Sequence, residues 1–145
     1  MSIQKATLND LEALTELFDL YRLFYNQNSD IKGARIFLEE RLMNNDSVVF
    51  IAFEEGTPVG FVQLFPSFSS VSMKRLWVLN DLYVKENVRR KGIAEKLIKK
   101  AISFAEETKA KGILLETAQD NLNAQKLYEK IGFLKDSSYY YYFTI

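Results

Sequence analysis

The apolar positions of this chain follow two rhythms, and the changes from one to the other divide it into elements. Residues 2–6 alternate like a short edge strand. Leu11, Leu14, Phe18, Tyr21 and Tyr25 then recur at intervals of three and four, which marks one face of a helix. Thr7 or Asn9 can cap that helix, with Asp10 placed for its first turn. After a polar break at 26–29, Asp30 can cap a second helix through Ala34, Phe37, Leu38, Arg41 and Leu42, ending at Asn44-Asn45-Asp46. Val48 to Phe53 is a continuous β-branched and apolar run, as a buried strand would be. Glu54 to Pro58 reads as a turn and Val59 to Phe65 as the return strand of a hairpin. Pro66 to Ser70 reads as a loop carrying Phe68, and Lys74 to Val84 as a third long strand.

The helical rhythm returns between Ile93 and Lys109. Ala94, Leu97, Ile98, Ala101 and Ala105 face inward there, while Lys96, Lys99, Lys100, Ser103 and Glu107 lie mostly outward. Gly112 ends the connection, and Ile113 to Thr117 is strand-like. Asp120-Asn121 caps a last helix with Ala124, Leu127, Tyr128 and Ile131 at helical spacing, and Gly132 closes it. Phe133 to Lys135 and Tyr139 to Ile145 read as terminal strands. The order is β α α β β β α β α β β, an α/β chain with a mixed sheet and a single domain over 1–145.

Between the third long strand and the long helix lies Arg89-Arg90-Lys91-Gly92-Ile93-Ala94. A helix start leaves amides without intrahelical partners and carries partial positive charge. A basic, Gly-containing turn leading into it makes an anion site, suited to a phosphorylated ligand. The remaining composition narrows the chemistry. Formal net charge is zero, so no global field favours nucleic acid or an acidic membrane. With no Cys and no His, the chain excludes disulfides, Cys and His zinc sites, and Ser-His-Asp or Cys-His nucleophiles. No metal is expected. Any acid or base must be Asp, Glu, Tyr, Lys, a terminus or water. The N-terminus lacks an apolar signal core, and Val48 to Phe53 is too short to span a bilayer, so a cytoplasmic protein is expected.

The third strand, the basic turn, the capped last helix and the closing Gly-Phe together resemble the GCN5-related N-acetyltransferase (GNAT) superfamily. The turn matches its pyrophosphate motif at every fixed position, Arg89, Gly92 and Ala94. Asn121, Ala124, Leu127-Tyr128 and Gly132-Phe133 follow in the order of its second motif, about 30 residues further on. Tyr21 to Tyr25, Gln63 to Ser70 and Asn80 to Val84 are similar to the branch with the yeast histone-type and D-amino-acid N-acetyltransferases. Polyamine acetyltransferases are nearby relatives of that branch.

The resemblance implies a GNAT fold, a mixed and mostly antiparallel central sheet flanked by helices. It implies acetyl-CoA as donor and a homodimer. The backbone of Leu82, Tyr83 and Val84 would pair with pantetheine, and Arg89, Arg90, Lys91, Gly92, Ile93, Ala94 and Glu95 would form the pyrophosphate turn. Asn121 and Ala124 would line the pantetheine groove. Tyr128 would lie near the sulfur as general acid, and the Leu82 N–H would meet the oxyanion. Tyr21, Tyr25 and Phe68 are candidates for the acceptor pocket. Asn80 stands where polyamine acetyltransferases place a Glu, and it cannot take a proton. Asp81 is next door, but on a regular strand it would face the other way, so a water chain would have to reach it. The expected reaction is acetyl transfer to a primary amine in a ternary complex, with a small amine, amino acid or polyamine as acceptor. A protein Lys or N-terminal acetyltransferase, and a CoA-binding regulatory module without catalysis, are the alternatives.

Overall fold

The computed structural model describes residues 1–145, which form two compact units, 1–115 and 116–145. The first holds a five-stranded sheet: β1 (Ser2–Lys5), β2 (Val48–Glu54), β3 (Thr57–Ser69), β4 (Lys74–Val84) and β5 (Gly112–Leu114). The strands lie in sequence order, antiparallel from β1 to β4, with β5 parallel to β4. Three helices accompany them: α1 (Leu11–Phe24), α2 (Ile31–Met43) and α3 (Ile93–Glu107).

The continuous apolar run of β2 is explained by cover on both faces. Val49 and Ile51 join Leu14, Leu17, Phe18 and Leu38 in the core beneath α1 and α2. Phe50 points the opposite way and meets Phe104 of α3 at 5.6 Å between ring centres. Local signals set the helix starts. The Asp30 side chain accepts from the Gly33 amide at 2.9 Å, as its place before α2 predicts. Thr7 and Asp10 form a reciprocal capping box on a single 3-10 turn ahead of α1. Glu55 and Gly56 both take positive φ in the tight turn joining β2 to β3.

Two expectations fail for physical reasons. Pro66 to Ser69 continue β3 instead of forming a loop. The β2 ladder ends at Val48 opposite Leu64, so β3 beyond that point has only β4 beside it. Pro66 therefore occupies a locally edge-like position, where its missing N–H costs little. The terminal strands expected at 133–135 and 139–145 are not formed. Their residues carry the right strand composition, but a strand exists only where a neighbour pairs with it.

The second unit contains α4 (Leu122–Ile131), capped by Asn121 and closed by Gly132 at φ +125°. No helix in the chain is long and apolar enough to cross a membrane.

Candidate active site

The site is organised by a fault in β4. Leu79 pairs with Leu64 and Asp81 with Gln63, which leaves Asn80 with no partner on β3. This is a β-bulge, in which two residues on one strand oppose one on the other. It shifts the alternation by one residue. Before the bulge, Trp77 faces α3 and meets Phe104 at 5.1 Å. After it, Tyr83, also odd-numbered, faces α1 and meets Tyr21 at 6.4 Å. Regular alternation would have put both on one face.

The bulge also brings Asn80 and Asp81 together. Asn80 Nδ2 donates to Asp81 Oδ1 at 3.1 Å, so the expectation that these neighbours face apart is corrected. Asp81 is buried and also receives Gln63 Nε2 at 2.5 Å and the Tyr21 hydroxyl. Burial holds its carboxyl above the ordinary aspartate value of 3.8, against the opposing pull of the three donors. Gln63 is fully buried and fixes Asp81 from the neighbouring strand. Sequence reasoning passed over it. The available signal was a single amide in the otherwise apolar run from Val59 to Phe65.

Aromatic rings extend this site. Tyr21 lies 5.0 Å from Tyr25 and 5.8 Å from Phe61, and Phe24 lies 5.3 Å from Tyr25. Phe68 is not among them. It sits seven residues along β3 from Phe61, which is about 23 Å of strand, and is 68% exposed beside the Arg75 guanidinium.

On the other side of β4, the bulge changes what the backbone presents. Arg75 O accepts from Lys111 N at 2.7 Å, so the odd-numbered backbone groups before Asn80 face β5. Lys85 N donates to Val59 O at 2.8 Å, which turns Leu82 and Val84 away from β3. The ladder with β5 covers only Leu76 to Val78. Leu82 and Val84 therefore face an open strand edge. The Val84 carbonyl is met there by Arg89 Nε at 2.9 Å.

Arg89 is thus also engaged within its own chain. Its guanidinium lies over Phe24 at 5.3 Å and over Tyr83 at 5.7 Å, bracing the turn against α1 and β4. The residues after it shape the turn. Arg90 and Gly92 take φ of +67° and +77°. Left-handed residues in such a turn gather successive amides on one concave side. Gly92 is the N-cap of α3 and has no side chain to cap the first turn, which contains Ile93, Ala94 and Glu95. Lys91 reaches Glu54 Oε2 at 3.9 Å.

In α4, Asn121, Ala124 and Tyr128 are spaced to share a face. Asn121 Oδ1 accepts from the Ala124 amide at 3.3 Å, which leaves its Nδ2 outside the cap. After Tyr128, Gly132 turns the chain back so that Phe133 N donates to Tyr128 O at 3.0 Å. The two rings then meet at 5.8 Å. The Gly-Phe of the second motif is the device that orients Tyr128.

Residues 14–133 match the Acetyltransferase (GNAT) family. The chain belongs to this family. It is 44% identical to an uncharacterized N-acetyltransferase of Bacillus subtilis over 98% of this chain and 95% of that protein. It is 32% identical to the spermine/spermidine N(1)-acetyltransferase of the same organism, over 92% and 88%. A crystal structure of a probable acetyltransferase superposes with a TM-score of 0.94 at 45% identity, covering 100% of this chain and 97% of the other. This GNAT protein is therefore an N-acetyltransferase, with its α/β sheet in the family arrangement.

Proposed function

We propose that this GNAT enzyme moves acetyl from acetyl-CoA directly to a primary amine held in a ternary complex. The observation that carries this reading is the open edge of β4 at Leu82 and Val84 beside the uncapped start of α3. A strand edge suits an extended, amide-bearing arm, and an amide-rich helix start suits a pyrophosphate. The fit assigns Leu82, Tyr83 and Val84 to the pantetheine arm and the turn from Arg89 to Glu95 to the phosphates. The resemblance of α4 to the family's second motif assigns Asn121 and Ala124 to the donor as well. Acetyl-CoA, when bound, supplies an acyl thioester reactive enough for aminolysis.

The chain's own residues then have three tasks. The amine must lose a proton, and Asp81, whose carboxyl is raised above its ordinary value by burial, is the terminal acceptor. Asn80 donates to Asp81 and orients the amine or a water beside it. The Leu82 N–H meets the oxyanion of the tetrahedral intermediate. Tyr128, through its phenolic O–H, gives its proton to the departing thiolate.

The acceptor that fits is cationic before it reacts. Tyr21 and Tyr25 offer ring faces next to a buried carboxylate, a combination suited to an ammonium group. A small amine, amino acid or polyamine is favoured, and the full-length similarity to a spermine/spermidine acetyltransferase supports it. The family resemblance supports a cytoplasmic homodimer.

The test is release of free thiol from acetyl-CoA against a panel of polyamines, amino acids and small amines. Turnover with at least one class is expected. Tight acetyl-CoA binding with no turnover on any amine would leave a CoA-binding module in its place. A Tyr128→Phe variant should release thiol about 10²-fold more slowly, and an unchanged rate would remove Tyr128 as the acid.

A further inference from the structure

Gln63 is fully buried on β3, yet only one end of its amide has a partner. Its Nε2 donates to Asp81 Oδ2 at 2.5 Å, while its Oε1 is buried without a hydrogen bond. A bare buried acceptor costs stability, and native chains keep few of them. The surroundings of the carboxylate give this one a use. Asp81 is met by Gln63 from β3, by the Tyr21 hydroxyl from α1 and by Asn80 on its own strand, with Tyr21 the one titratable group among them. As placed, all three donate. That arrangement serves an ionised Asp81 and fails a protonated one, because the new O–H needs an acceptor.

The geometry lets Gln63 supply it. The last torsion of a glutamine is two-fold, and exchanging its oxygen and nitrogen keeps the shape of the side chain. An amide bonded at both ends would be locked in one orientation. Here either orientation leaves one end bonded and one end bare, so Asp81 alone decides between them. Tyr21 would have to aim its own hydrogen elsewhere before it could accept. Asn80 is exposed, and water can serve its amide in any orientation, whereas buried Gln63 answers only to Asp81.

We infer that Gln63 is a two-state positioning residue, donating to the Asp81 carboxylate and turning over to accept from Asp81 once the amine's proton has arrived. The inference rests on the reading of Asp81 as the terminal proton acceptor. An N–H bond of the ammonium breaks, an O–H bond forms at Asp81 Oδ2, and Gln63 changes only its orientation. When the proton leaves for solvent, the amide returns. One hydrogen bond is kept in both states, so the buried acid never holds an unpaired O–H.

Isotope-edited infrared spectra of the full chain, labelled at its glutamine side-chain carbonyls, read the amide without turnover. One carbonyl should absorb at the high wavenumber of an unpaired amide while Asp81 is ionised. It should move lower as pH falls and Oε1 gains the acid's O–H. Asp81→Asn should abolish that movement. A second arm uses Gln63→Met, which keeps the bulk and removes the bond from both protonation states. The acid limb of its kcat profile should stay within about half a pH unit of the parent's, with KM for the amine unchanged. A fixed donor predicts otherwise, since its loss from the carboxylate alone would raise that limb by about one to two pH units. A band that does not move, or a limb raised that far, would overturn the turning amide; should Gln63→Met not fold, the band decides. Full kcat in Asp81→Asn would instead remove Asp81 as the acceptor, with the band still reading the amide.

Discussion

The two halves of β4 are alike in composition and opposite in use. From Arg75 to Val78 the strand is locked on both sides, by β3 and by β5, and Trp77 seals it against α3. From Asp81 to Val84 it keeps β3 but has no strand on its other side, and its odd-numbered side chains have crossed to the α1 face. One unpaired residue, Asn80, separates the two regimes. The lesson is that a single inserted residue performs two jobs at once. It turns a carboxylate into a pocket of hydrogen-bond donors, and it turns the Leu82 amide outward.

The sharpest way to break this comparison is to remove the carboxylate that the bulge delivers. Asp81→Asn should lower kcat by about 10²–10⁴-fold, the range for losing a proton acceptor. Its acid limb should vanish from the pH–rate profile. In the parent enzyme the rate should fall as Asp81 takes up its proton, at a pH above the ordinary 3.8. Stability gives an independent check of sign. A carboxyl with a raised folded value binds its proton more tightly when folded than when unfolded. Folding is therefore favoured at low pH by this group, and that contribution is lost as pH rises from 3.8 through the folded value. Urea midpoints of the parent and Asp81→Asn should diverge across that window; parallel pH dependences would show that burial does not shift Asp81.

The outward amide can be tested next. Replacing the Leu82 amide by an ester through semisynthesis removes the N–H and leaves the side chain. It should cost about 10²–10³ in kcat with little change in stability, because this N–H faces away from β3. The same replacement at Trp77, whose backbone faces β5, should affect stability and spare the rate. If both esters reduced kcat alike, the two halves of β4 would not differ as described.

How much of this was readable in the sequence depends on whether the cause was local. The basic turn was legible because Gly92 answers a local demand, a positive φ at the start of a helix. Asn121 and Gly132 were legible as helix caps for the same reason. The bulge was not, since its evidence is a pairing between residues 63–64 and 79–81, and periodicity assumes that alternation never slips. Hence Asp81 and Asn80 were placed on opposite faces, and Gln63 was missed. Arg89 was read by charge, while its actual partners, Phe24 and Tyr83, come from α1 and β4. Residues 139–145 have strand chemistry, but a strand also needs a pairing partner, and no propensity argument can supply one.

The turn after β4 extends the comparison from strand edge to helix end. Gly92→Asp places a Cβ on a backbone at φ +77° and a negative charge at the helix start that the phosphates would occupy. Nothing lies within 4 Å of the added Cβ, so the loss must come from charge and backbone strain, not from a clash. Acetyl-CoA affinity should fall about ten- to a hundredfold by calorimetry, about 1.4–2.8 kcal/mol. Gly92→Ala, which keeps the strain without the charge, should lose less. Equal losses would assign the whole effect to backbone conformation.

The smallest expected effect on turnover lies in the locked half and serves as its signature. Trp77 Nε1 donates to Thr108 Oγ1 at 2.9 Å, tying β4 to the end of α3. Thr108→Val keeps the shape and removes the acceptor, which leaves a buried indole N–H without a partner. The cost should be about 1–3 kcal/mol of unfolding free energy. Thr108 also donates to Phe104 O at 3.0 Å, so part of that loss is a loosened helix end. Turnover below the unfolding transition should be unchanged, because Trp77 precedes the bulge and its side chain lies on the α3 face. A rate loss here as large as that of Asp81→Asn would mean that Asn80 does not insulate the two halves, and that packing on α3 reaches the open edge through the strand itself.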